Sequence, residues 1–146
     1  MAFLCVLTIF MAYVSWRFVE GEVEWAVFGD THTVELSYAL AKELAPSGKA
    51  VKHFSFSECG PTYGRSLETD CAVWADQTFK HLLENENLPN VVVSYRLTQY
   101  LYGGHEGEYP AFPHGKSDLE RGEIWTSLSA ILEKLVVAGK AKFICH

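Results

Sequence analysis

Hydrophobic positions along the chain change their period repeatedly, and each change marks an element of secondary structure. Short segments in which apolar residues alternate or run continuously predict strands at 24–29, 50–56, 90–96 and 140–145. Longer segments with apolar residues at three- and four-residue spacing predict helices at 33–45, 70–84 and 118–138. Residues 57–68 and 101–117 are predicted loops. Strands alternating with helices in this order predict an α/β fold, a parallel sheet with helices on both faces.

The N-terminal segment has a different pattern, because it is apolar on all sides. Residues 2–14 are interrupted by the polar residue Thr8, and the mostly apolar stretch continues to residue 19. This length predicts a transmembrane helix, with Trp16 and Arg17 at the membrane interface. A signal peptide and a buried soluble helix stay as alternatives, although neither a basic n-region nor a small-x-small cleavage site is visible. The segment starts at Met1 as if the protein began upstream.

Composition narrows the functional classes. The chain has 146 residues, 49% of them hydrophobic, with a formal net charge of -6. This length and hydrophobicity suit one ordered domain with its own core. Lys and Arg are scattered singly, so the electrostatic footprint of a nucleic-acid-binding protein is absent and no nucleic-acid partner is expected.

The cysteines fit no zinc or thioredoxin-like spacing. Cys5, Cys59, Cys71 and Cys145 form no C-x-x-C pair. Cys59 and Cys71 bracket a loop rich in Gly, Pro and Ser, and in an oxidising compartment they could pair. Two unpaired thiols are the alternative. His105 and His114 have acidic neighbours in the long loop but match no standard zinc pattern, so no metal site is predicted.

A strand that ends in Gly29-Asp30-Thr31-His32 and opens a helix is the segment richest in possible chemistry. In parallel sheets, ligands bind beyond the carboxyl ends of the strands. The Thr31 hydroxyl would stand on a sharp turn, and the free N–H groups of the helix start would face an anion, which suits a nucleophile with its own oxyanion donor. The simpler interpretation is that Asp30 or Thr31 caps the helix.

Four motifs in order resemble the SGNH hydrolases, and more narrowly the SGNH domain fused to acyltransferase family three, the O-acetyltransferases of O-antigen and cell-surface polysaccharides. Gly29 to His32 is similar to the first block of SGNH hydrolases. The other three matching segments are residues 12–20 (AYVSWRFVE), residues 57–61 (SECGP) with Cys71, and residues 91–96 (VVVSYR) with Tyr100.

The resemblance implies a fold and a function. Residues 21–146 would form a three-layer, SGNH or flavodoxin-like α/β domain, incomplete at its C-terminal strand, after a transmembrane helix that ends within residues 1–20. The protein would transfer an O-acyl group, acetyl in the first instance, to hydroxyls of a cell-surface glycan at the periplasmic side of the inner membrane. The membrane and the glycan would be its partners. The chain would need no cofactor, since an acyl donor such as acetyl-CoA would be used by the membrane portion.

The same resemblance implies site residues. Thr31 would be the nucleophile with Asp30 and His32 beside it, and Cys59 would pair with Cys71. Gly60 is the weaker candidate for a second oxyanion donor. Arg96, at the end of a strand, could hold a carboxylate or an oxyanion of the substrate, or could pair with an acidic neighbour. Tyr95, Tyr100, Tyr102 and Tyr109 could stack on sugar rings or belong to ordinary packing.

This sequence also departs from the family pattern. Threonine replaces serine at position 31, Leu97 stands where tryptophan is usual, and the family's Asp-x-x-His block is not found among the 146 residues. The residues are therefore expected to be inactive alone. Two other functions stay open: a signal-anchored SGNH esterase, and a catalytically inactive remnant or glycan-binding module.

Overall fold

The computed structural model describes residues 15–18, 21–103 and 116–145. Its strands are β1 (Ser15–Phe18), β2 (Glu22–Gly29), β3 (Lys49–Ser55), β4 (Asn90–Ser94) and β5 (Ala141–Cys145). Its α-helices are α1 (Thr33–Leu44), α2 (Asp70–Glu84), α3 (Leu97–Tyr102) and α4 (Asp118–Val137), and a short 3-10 helix spans Ala45–Ser47.

The strands form one sheet in the order β1-β3-β2-β4-β5. Strands β3, β2, β4 and β5 are parallel, and β1 runs antiparallel to β3. The chain leaves β2 through α1 to β3 on one side, and then crosses through α2 to β4 on the other side. This reversal makes the carboxyl end of β2 a topological switch point, where open α/β sheets bind their ligands.

The sheet carries two different apolar layers. On one face, β2 and β4 pack against α2 and α4, and the cluster is rich in aromatic rings; Phe28 stacks on Trp74 with ring centroids 5.4 Å apart. On the other face, α1 covers a small cluster of Val27, Ala41, Val51 and Val92. We call these the aromatic face and the α1 face.

The predicted α/β class and parallel sheet are confirmed, and every strand and helix predicted from periodicity is present. The predicted strand 90–96 ends earlier, at Ser94. Helix α3 was not predicted; it is short, and it forms because Leu97 and Leu101 bury the same side one helical turn apart.

The predicted transmembrane helix is wrong for residues 15–18, which form β1. Polar and aromatic residues alternate in Ser15-Trp16-Arg17-Phe18, which is the period of a strand. The strand pairs with β3, from Ser15 opposite Phe54 to Phe18 opposite Val51, and so covers a sheet edge that would be open. Residues 1–14 lie outside the described residues. Within the described ranges, no helix is both long enough and apolar enough to cross a membrane.

Candidate functional site

The turn between β2 and α1 lies at the switch point and is held by its own backbone. The carbonyl of Asp30 accepts the N–H of Thr33 at 3.1 Å, and the carbonyl of Thr31 accepts the N–H of Val34 at 3.2 Å. Gly29 lets β2 approach β4 closely here, since a Cβ at this position would lie 1.7 Å from the carbonyl oxygen of Ser94. A side chain at position 29 would therefore separate the two central strands.

Asp30 is fully buried and joins the carboxyl ends of β2 and β4. Its Oδ1 accepts the backbone N–H of His32 at 2.9 Å, and its Oδ2 accepts the backbone N–H of Arg96 at 2.8 Å. A carboxylate bonded to two N–H groups is compensated for its burial. Asp30 is thus a bridge between two loops, and the residue at the N-cap of α1 is His32, which makes no side-chain capping bond.

His32 and Arg96 meet beside this carboxylate on the exposed side of the turn. The Nδ1 atom of His32 lies 3.3 Å from Asp30 Oδ1, and its Nε2 atom lies 3.3 Å from Arg96 Nη1. A guanidinium can only donate hydrogen bonds, so Nε2 accepts and the proton of a neutral His32 resides on Nδ1, facing the carboxylate. The structure therefore brings Asp30, His32 and Arg96 together around the turn that carries Thr31.

Thr31 itself is exposed at the apex of the turn. The N–H groups of His32, Thr33 and Val34 bond to oxygens of Asp30 and Thr31. The expectation that these N–H groups face an anion is therefore wrong for all three, because the tight turn uses them internally. An oxyanion at Thr31 would have to use the N–H of Thr31 and groups from other segments.

The loop between β3 and α2 supplies the second segment near the site. The structure pairs Cys59 with Cys71 in a disulfide, with Cα atoms 5.4 Å apart. Gly60 follows directly, and it packs so closely on Tyr100 of α3 that a Cβ there would lie 2.7 Å from the ring. Glu58 adopts a left-handed φ of 56°, which is uncommon for a residue with a side chain. The loop is thus fixed from both sides of Gly60.

Two tyrosines surround the Asp30 carboxylate. Burial, then the charge of Asp30, raises the pKa of Tyr95 far above its usual range, and the same two causes together with a hydrogen bond to Asp30 raise the pKa of Tyr100. Both phenols therefore stay neutral. Tyr95 is 3% exposed and cannot stack on a sugar, so its core interpretation holds; its hydroxyl has no hydrogen-bond partner in the described part of the chain.

A cleft of about 610 Å³ opens between the β3–α2 loop and the first half of α4. Both walls lie at the carboxyl edge of the sheet. The β3–α2 loop begins where β3 ends, and α4 begins at the same edge and runs back toward the start of β5. The lining mixes hydrogen-bond donors and acceptors with the ring of Tyr63, and Arg65 and Glu123 form an ion pair across it. Its mixed lining makes it a candidate ligand cleft.

A buried polar pair beneath the turn was missed by sequence reasoning. Thr33 Oγ1 lies 2.7 Å from Nε2 of His53, a residue of β3 that faces α1 and is 2% exposed. The available signal was weak: His53 occupies a position in the strand pattern where an aliphatic residue would suit the α1 face.

Some candidate residues from the sequence cannot be placed relative to this site. His105, His114 and Tyr109 lie outside the described residues. Among residues 15–18, 21–103 and 116–145, no three His, Cys, Asp or Glu side chains come together in a way that could hold a metal ion.

The mostly parallel sheet with its switch-point turn is that of a flavodoxin-like α/β domain, the architecture expected of an SGNH domain. More narrowly, the chain matches the family model described as "SGNH domain (fused to AT3 domains)" over residues 11–144, and it belongs to that family. Membership associates it with acyl transfer by acyltransferases of family three. No curated protein and no solved structure matched the chain significantly.

Proposed function

We propose that this domain accepts an acyl group, acetyl in the first instance, on Thr31 and passes it to a hydroxyl of an extracytoplasmic glycan. One observation carries the proposal: the exposed Thr31 hydroxyl stands at the switch point, on a turn whose buried Asp30 carboxylate binds the backbone of the turn itself and of the segment that follows β4. The proposed donor chemistry, from a carrier such as acetyl-CoA, belongs to the membrane portion of the acyltransferase. The proposed location is the outer side of the inner membrane, an oxidising setting in which a Cys59–Cys71 bond persists.

The proposed reaction has two balanced halves. The Thr31 oxygen attacks the acyl carbonyl carbon, its proton passes to a base, and the donor leaving group departs, which leaves an ester on Thr31. A glycan hydroxyl then attacks this ester, loses its proton to the base, and releases Thr31 with its proton restored. The Asp-x-x-His block that supplies the base in the family does not occur within these residues, so no residue described here is assigned that role.

Other residues have proposed supporting roles. The Thr31 N–H would stabilise the negative oxygen of the tetrahedral intermediate. The Arg96 guanidinium, held beside the turn by His32, would attract that oxygen or an acidic group of the substrate. Gly60 is the weaker candidate for a second N–H donor, since its loop is fixed against Tyr100, which contacts Asp30.

The test compares Thr31, Thr31→Ser and Thr31→Ala in the gene product that carries this chain. Glycan O-acetylation is measured by NMR, and an acyl adduct on residue 31 is sought by mass spectrometry. We expect Ser to exceed Thr, because the threonine methyl restricts χ1 and occupies space beside the attack path, and Thr to exceed Ala. Equal activity of Thr31 and Thr31→Ala would refute the proposal.

A glycan-binding module without turnover is the second candidate. It is favoured by threonine at position 31 and by the cleft of mixed polarity between Tyr63 and Glu123. Calorimetric binding of the polysaccharide that is abolished by Tyr63→Ala, with Thr31→Ala binding normally and no acetylation by any variant, would establish it.

A further inference from the structure

A short hydrogen-bonded chain runs from β3 into the turn that carries Thr31. The hydroxyl of Thr33 is fully buried and lies 2.7 Å from the Asp30 carbonyl oxygen and 2.7 Å from His53 Nε2. The carbonyl of Thr33 in turn accepts the hydroxyl of Ser37 at 2.6 Å. These polar contacts lie on the face of the sheet that also carries the buried aliphatic residues Val27, Ala41, Val51 and Val92.

The donor and acceptor roles in these hydrogen bonds follow from the number of protons available. A carbonyl oxygen only accepts, so the single hydroxyl proton of Thr33 goes to Asp30. The Thr33 oxygen must then accept from His53, which requires the proton of neutral His53 to be on Nε2. Burial lowers the pKa of His53, which keeps the ring in this neutral form at physiological pH.

We propose that His53 is a positioning residue for the acyl-transfer site: its Nε2–H fixes the Thr33 hydroxyl, which holds the Asp30 carbonyl and so the turn beneath Thr31. This inference rests on the proposed function. His53 touches no reacting atom; it acts through Thr33 and the backbone. A buried imidazole has to be compensated by a hydrogen bond, and an aliphatic side chain would fill the same place on the α1 face without that requirement.

The first experiment reads the proton directly, in the chain as it is. Long-range ¹H–¹⁵N NMR of the histidine side chains distinguishes the two neutral tautomers by the nitrogen shifts. We expect His53 to carry its proton on Nε2. A proton on Nδ1 would overturn the inference, whatever the activity of the protein.

The second experiment uses variants that separate positioning from packing. His53→Gln can place an amide N–H near Thr33, whereas His53→Leu fills the space without a donor, and Thr33→Val removes the acceptor from the other end. Val51→Ala is the control, because it damages the same α1 face without touching Thr33. The readouts are the backbone amide shifts of Thr31 and His32, and glycan acetylation by the gene product.

We expect His53→Leu and Thr33→Val to move those amide shifts and to lower the acetylation rate by about ten- to a hundredfold, on the order of what a displaced catalytic group costs. Their double variant should be no worse than either alone, His53→Gln should recover most of the rate, and Val51→Ala should keep it. If Val51→Ala has the same effect as His53→Leu, the role is packing and the inference fails. If the proposed function is wrong instead, Thr31→Ala will retain activity. The NMR results on the His53 tautomer and on the amide shifts will then still hold.

Discussion

The two faces of the sheet are covered by different kinds of side chain. The aromatic face buries large rings, among them Phe28, Trp74 and Phe79, together with Ile131 and Leu135 of α4. The α1 face has a smaller apolar cluster, and its buried polar groups, Thr33, Ser37 and His53, are linked by hydrogen bonds. Apolar burial is strong but non-directional, whereas hydrogen bonds contribute modestly and fix geometry. The comparison suggests that one face supplies stability and the other orients the turn.

The largest predicted effect is on the aromatic face. Phe79→Ala should lower the free energy of unfolding by about 4 kcal/mol, because the ring is fully buried and leaves a cavity. Val27→Ala, its counterpart on the α1 face, should cost about 2 kcal/mol, from the loss of two buried carbons. Urea unfolding measures both. Equal costs would contradict the difference between the faces.

The disulfide should be the next largest contribution. Cys59 belongs to the aromatic cluster, and its bond to Cys71 closes a 12-residue separation in the chain. Replacing both cysteines with alanine should lower the free energy of unfolding by about 3 kcal/mol, through the entropy gained by the unfolded chain. Mass mapping without reductant, on protein exported to an oxidising compartment, checks the bond itself. Two alkylatable thiols at 59 and 71 in folded protein would contradict it.

A smaller effect is predicted at the start of α4, the helix that covers the aromatic face. Ser117 and Glu120 form a reciprocal capping box. Ser117→Ala should cost about 1 kcal/mol in thermal or urea unfolding. Thr126→Ala is the matched control, because its exposed hydroxyl bonds to the Gly122 carbonyl within the helix and takes no part in the cap. If both variants cost the same, the cap is not what stabilises the helix start.

The smallest effect, and the one that most sharpens the comparison, is a pH dependence of the α1 face. Burial lowers the pKa of His53 below its ordinary value of 6.5, so the unfolded chain binds a proton that the folded chain excludes. Stability should therefore be highest above that value and decline as the pH falls through it. Burial also lowers the pKa of His81, which acts with the same sign, so the measurement is made in a His81→Gln background.

In that background, His53→Gln should flatten the stability curve between neutral and mildly acidic pH. An unchanged slope would show that His53 does not titrate differently in the folded and unfolded states. The Phe79→Ala variant should lower the whole curve without changing its slope, since the aromatic ring does not titrate.

The sequence predicted what depends on local pattern. The β-branched run at 90–96 predicted a buried parallel strand, which the structure shows over Asn90–Ser94. The helices followed from the spacing of their apolar residues, and Pro46 and Gly48 marked the end of the first one. What it did not predict depends on contacts between distant residues. The pairing of β1 with β3 overrode the apolar composition that suggested a helix. The bond from Asp30 to the Arg96 amide joins segments 66 residues apart, so Asp30 was interpreted as a cap or an active-site residue. His53 could not be paired with Thr33 until the sheet placed β3 beside the turn.

The close packing at Gly29 also determines which positions of this site can accept substitutions. A side chain at position 29 would clash with the Ser94 carbonyl. Such a variant loses the fold, so its effect on catalysis cannot be expressed. Two residues away, Thr31 is exposed, and an exchange between serine and threonine at that position changes no buried contact. In a saturation library screened for folding alone, position 29 should therefore accept almost nothing and position 31 most residues. The proposed nucleophile position is therefore free of the packing constraint that acts on Gly29.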